Sequence, residues 1–177
     1  MNPALPKGGV ILTKGRAGWV KKFIFFLAVF LAGMLQVTIL NYFRILTIKP
    51  CLFLIFVVIA SLTFELKWAL IFSLFAGILK DIFSISAFGI NSALFLLWSF
   101  LIVRLNREIS IENNVLRSTL VLIVTFLHDI FLGLIYVYSG NYVPLGIFLR
   151  IITLQPIFTA LILPIVFKPM KPFYSVK

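Results

Sequence analysis

Residues 23–43 run for 21 positions without a charged side chain, and several later stretches are nearly as apolar. At about 1.5 Å per residue such a run covers roughly 30 Å, the thickness of a bilayer's hydrocarbon layer. Hydrophobic residues make up 62% of the 177 and charged residues 12%, with a mean hydropathy of +1.16, so the polar surface of a soluble domain is missing. The fitting class is an all-α integral membrane protein, because helices satisfy their own backbone in lipid. The first run is longer than the apolar part of a signal peptide, and no small-x-small cleavage site follows it. A retained span is expected. The net charge of +11 then belongs to residues that flank spans and face anionic lipid. Nucleic-acid binding is disfavoured, since no Lys/Arg cluster belongs to a folded soluble module. The single cysteine, Cys51, excludes an intrachain disulfide and a cysteine-built metal cluster.

A bundle of about six transmembrane helices is expected, at about 23–43, 50–64, 68–83, 89–103, 118–138 and 145–167. It forms one helical domain between a mobile basic tail, residues 1–22, and a short tail, residues 169–177. Pro50 suits the first turn of the second span. Glu65 and Lys67 make a tight turn, and residues 104–117 are the one clearly polar internal loop. With the N-terminus inside, twelve basic residues fall on the inner side and four (Arg44, Lys49, Lys80 and Arg150) on the outer side. That bias places both termini in the cytoplasm. Reading residues 77–91 as one unbroken span puts the last three lysines outside, which is the weaker version.

The stretch 77–91 carries a charged pair, Lys80-Asp81, and then a helix-weakening Ser-x-Ser-x-x-Gly at membrane depth. Two charges and a backbone break there are expensive and need a reason. Residues 79–83 (Leu-Lys-Asp-Ile-Phe) are echoed at 127–131 (Leu-His-Asp-Ile-Phe). Asp81 lies 14 positions after Lys67 and Asp129 12 after Arg117, so both sit roughly 18–21 Å above the inner boundary. Gly77 and Gly133 fall one turn from these carboxylates and allow close helix approach. One reading of the pair is a proton or cation path. The favoured reading is structural: the break exposes the N–H groups that open span four, and Asp81 suits that helix start, with Ser84 or Ser86 as a cap. Lys80 can snorkel or pair with a carboxylate, and Arg150 can snorkel or pair with Asp129 or Asp81. His128 lies about 100° around the helix from Asp129, so the two do not share a face. One His and one Cys offer no metal site, and no nucleophilic triad or phosphate loop is present, so an enzyme, a metal or another cofactor is not expected. Gln36, Asn41 and Gln155 read as interhelical hydrogen-bonding groups, and Pro156 and Pro164 as kinks in span six.

Taken together, Gln36 in the first span, Lys49-Pro50 opening the second, the block Gly77, Asp81, Ser86 and Gly89, the mid-span Asp129 and the late Pro156 resemble the bacterial rod shape-determining MreD family. The resemblance covers nearly the whole chain, and its most specific part is the Gly-x-x-x-Asp…Gly block. Cys51 is a departure, since many members carry Asp after the Pro, which puts in doubt any polar contact made there. The resemblance implies a non-enzymatic subunit of the cell-wall elongation complex in the bacterial cytoplasmic (inner) membrane. Its implied partners are the single-span scaffold MreC and, indirectly, MreB, RodA and a class B penicillin-binding protein that build peptidoglycan. It also implies a fold similar to the substrate-binding subunits of energy-coupling-factor vitamin transporters. The alternative function is a small-solute-binding subunit of such a transporter, and a proton-coupled channel is weaker still. Self-association stays open.

Overall fold

The computed structural model describes residues 9–38, 50–84, 88–109, 113–140 and 144–174. These residues form six helices and no strand: α1 (Gly9–Thr38), α2 (Leu52–Thr63), α3 (Leu66–Phe83), α4 (Ile90–Glu108), α5 (Asn114–Tyr138) and α6 (Leu145–Tyr174). The elements match the expected order, but several bounds differ. The stretch 104–117, expected as a polar loop, is mostly helix, since α4 runs on to Glu108 and α5 starts at Asn114, and α3 starts at Leu66 instead of 68. α1 begins at Gly9, inside the segment expected to be a mobile tail, so its basic residues from Lys14 onward lie on helix. α6 passes through Lys168 and Pro169 to Tyr174 instead of stopping at 167.

Three helices are long and apolar enough to cross a membrane by length and composition, over Trp19–Gln36, Val115–Tyr138 and Leu145–Val166. α2 is not among them. Its 12 residues extend about 18 Å, short of the roughly 30 Å of hydrocarbon. It is instead the centre of the core: Phe53 through Ser61 are all buried, so apolar residues around the full circumference meet protein and not lipid. Around α2 the outward faces of the other helices remain apolar. Phe23 is 70% and Leu161 64% exposed, as lipid-facing positions require.

Aromatic rings tie α1 to this centre. Phe25 contacts Phe56, Phe64 and Phe72, and Phe26 stacks on Phe75 at 3.9 Å. Trp19 meets Trp68 edge-on at 5.8 Å, and the Lys22 ammonium lies 3.8 Å from the Trp68 ring centre. Pairing that advances along both chains makes α1 and α3 parallel. Indole rings with a cation at one end of these helices are the pattern of a membrane–water boundary.

The links between helices follow from local chemistry. Asn113 caps α5, its Oδ1 accepting from the Val115 amide at 3.2 Å. Gly89 sits at φ +100 at the start of α4, a left-handed conformation that costs glycine little. Two glycines set how closely the hairpin partners approach. A Cβ on Gly77 would run into the Ser92 backbone of α4, and one on Gly133 into the Phe148 ring of α6. Backbone cannot yield, whereas a partly exposed ring can turn. Gly77→Ala is therefore expected to cost about 2–3 kcal/mol and Gly133→Ala clearly less, measured as thermal unfolding in mild detergent. An equal or inverted order would contradict this packing.

Candidate functional site

The break between α3 and α4 leaves the first amides of α4 without helical partners. Asp81, two residues before the end of α3 and 3% exposed, supplies them. Its Oδ1 accepts from the Asn91 amide at 3.0 Å and from Asn91 Nδ2 at 2.9 Å. Its Oδ2 accepts from the Gly89 amide at 3.1 Å, the Ser92 amide at 3.0 Å and the Ser92 hydroxyl at 2.6 Å. The amides of Asn91 and Ser92 are the two that an N-cap side chain would normally satisfy. Gly89, the residue in that position, has no side chain to offer. The carboxylate also faces the positive end of the α4 dipole. Gly77 makes the arrangement reachable, because it brings the α3 backbone against Ser92 one turn below.

The Ser84 hydroxyl donates back to the Asp81 carbonyl at 3.5 Å. Ser86, the other capping candidate, lies outside the described residues, as do Lys49 and Asn41.

A second buried helix start, that of α2, is met in the same way by other helices. Gln36 Oε1 of α1 accepts from the Phe53 amide at 3.3 Å, and Thr159 Oγ1 of α6 accepts from the Cys51 amide at 3.2 Å. Pro50 lies just ahead of Cys51, the cap residue, and not in the first turn as expected, because the helix begins at Leu52. Cys51 is 2% exposed and its side chain makes no cap bond.

Asp129, on α5, is 5% exposed and accepts from Gln155 Nε2 of α6 at 2.9 Å, while its buried Oδ2 has no partner among the described residues. Gln155 thus takes the place expected for Arg150, which is exposed on α6. The residue next to the carboxylate turns the other way, as the 100° offset requires. His128 is fully buried, and Lys80 Nζ lies 2.9 Å from its Nε2. An ammonium has only donors, so Nε2 accepts and the ring proton sits on Nδ1, which is buried and has no partner among the described residues. The hydrogen-bond partner of Lys80 is thus an imidazole. The Phe95 ring lies 5.1 Å from the ammonium and 5.2 Å from the imidazole, and shields the contact from above.

Lys80 and His128 occupy the same place in the two echoed pentads, so their contact brings the pentads level with each other. In each, the carboxylate that follows is held by the next helix, Asp81 by α4 and Asp129 by α6. Sequence reasoning found Gln36, Gln155, both carboxylates and both glycines, but missed Asn91, Ser92 and Thr159. Asn91-Ser92, two and three residues after the glycine that opens the helix, was the available signal. Pro156 is buried inside an α6 that runs unbroken. Among the described residues no group of three or more His, Cys, Asp or Glu could hold a metal ion.

Apolar helices whose few polar side chains are matched to one another at membrane depth define an all-helical transmembrane protein. The chain belongs to the family described as rod shape-determining protein MreD, whose sequence profile matches residues 18–173. That is a family of shape-determining membrane proteins. Neither the curated proteins nor the solved structures contain a significant match to the chain, so the expected likeness in fold to energy-coupling-factor subunits is without support.

Two sets of substitutions test the site. Asp81→Asn keeps the shape but turns an NH₂ toward donors, so it should destabilise nearly as much as Asp81→Ala, about 3 kcal/mol in thermal unfolding, against about 1 kcal/mol for Ser92→Ala. His128→Phe strands the Lys80 ammonium, and adding Lys80→Met should recover about 1–2 kcal/mol of that loss. Additive single effects would show that the two side chains do not interact.

Proposed function

We propose that this chain is a non-enzymatic membrane subunit of the bacterial cell-wall elongation complex, which binds an MreC-like single-span scaffold and helps organise peptidoglycan synthesis. The observation that carries this reading is the family profile, which extends over residues 18–173 of the 177. The geometry agrees with a scaffold in one respect: the intramembrane polar groups serve helix starts and helix pairs. Both Asp81 oxygens are directed at α4, and Gln36, Gln155 and Thr159 each join two helices.

In this reading the bundle sits in the cytoplasmic membrane as six passes with both termini inside, over the spans given above. α2, too short to cross the hydrocarbon alone, covers the middle of its pass within the protein and not against lipid. Contact with MreB, RodA and the class B penicillin-binding protein is indirect, through the scaffold. Gln36, Pro50, Gly77, Asp81, Ser86, Gly89, Asp129, Gly133 and Pro156 then act on the partner by fixing the shape of the bundle. No observation favours the solute-binding alternative, whose carboxylate, Asp81, is already bonded within the protein.

Affinity purification of the full chain from membranes in mild detergent should recover the MreC-like protein in stoichiometric amount. Asp81→Ala and Asp129→Ala should lower that recovery, with the loss following their loss of thermal stability. Full recovery of the complex by both variants would remove these carboxylates from assembly. Absence of the scaffold from the wild-type preparation would overturn the proposal itself.

A further inference from the structure

Besides the polar core, the structure holds a half-open cleft of about 410 Å³ where the turn into α3 meets the end of α4. Leu66, Phe100 and Val103 form its apolar part, and Arg104, Arg107 and Glu108 its polar part. The order along α4 is informative. Phe100, 42% exposed, and Val103 come first on the side of the bundle interior, and the two arginines follow within the last two turns. An apolar wall that passes into guanidinium groups over one or two turns repeats the order of a lipid, acyl chain and then phosphate. Arg107 lies in the last turn of α4, where a cation complements the helix dipole in any case. Arg104 stands outside that turn, and an apolar floor is not needed for a dipole partner.

We propose that this cleft binds the phosphodiester of an anionic phospholipid, with the glycerol and upper acyl chain against Leu66, Phe100 and Val103. A guanidinium pair offers planar, forked donors suited to phosphate oxygens. Glu108 on the rim reduces the local charge from two positive to one, which suits a singly charged phosphodiester better than a free phosphate dianion. The proposal rests on α4 ending at the inner membrane surface, and does not depend on the scaffold partner.

The test uses the full-length protein in nanodiscs of phosphatidylcholine and phosphatidylglycerol in equal amounts. Native mass spectrometry reads which lipid stays bound after release. Wild type should retain phosphatidylglycerol with about a tenfold preference, and R104Q/R107Q should retain the two lipids about equally. K168Q/K171Q, with the same change in net charge elsewhere, should behave as wild type. E108Q should retain more phosphatidylglycerol than wild type, and it keeps the test open if R104Q/R107Q does not fold. The proposal fails if R104Q/R107Q keeps the preference, if K168Q/K171Q loses it equally, or if E108Q leaves retention unchanged. Displacement of the lipid by inorganic phosphate would assign the cleft to a soluble anion instead. All these readings are made without the scaffold, so their failure is separate from a failure of complex assembly.

Discussion

Hydrocarbon offers no partner to a peptide N–H, and each unmet group there costs several kcal/mol. Two helices of this protein, α2 and α4, begin with buried residues whose amides need partners: Cys51 and Phe53 at α2, Asn91 and Ser92 at α4. The protein meets the requirement with side chains from other helices. Asp81 of α3 takes the amides of Gly89, Asn91 and Ser92, and Gln36 and Thr159 take those of Phe53 and Cys51. These bonds also fix positions: α3 is registered on α4, and α2 is held between α1 and α6. Satisfaction of the backbone and arrangement of the helices are thus one set of contacts.

The same logic explains why so few polar residues are placed so deep. Asp81 brings a charge to a helix start, where five donors converge on it. Asp129 has one donor, Gln155, and is accordingly the less committed carboxylate of the echoed pair. Between them Lys80 and His128 join the α3–α4 and α5–α6 hairpins, beside the ring contacts Phe95–His128 and Trp98–Phe131. Gly77 and Gly133 let the hairpins close far enough for the carboxylates to reach across.

Much of this was legible in the residues. The apolar runs gave the helices, and a charged pair beside Ser-x-Ser-x-x-Gly gave the helix break and the role of Asp81. Gly77 and Gly133 were readable from their one-turn spacing to the carboxylates. What failed was partner choice across the bundle. Which side chain faces Lys80 depends on how α3 and α5 are rotated, and apolar faces that meet both lipid and protein carry little periodicity to fix a rotation. Arg150 was a natural partner for Asp129 on charge alone, yet Gln155, about a turn and a half further along α6, is the residue that faces it. α2 was read as a short span. Its burial on all sides was visible only once the other helices surrounded it.

Amide hydrogen exchange, followed by NMR on the protein in nanodiscs, tests the central claim most directly. If Asp81 holds the start of α4, the amides of Asn91 and Ser92 should exchange as slowly as those of Phe95 to Ile102 in mid-helix. First-turn amides that exchange at the rate of the Asn113 cap region in the wild-type protein would contradict the account.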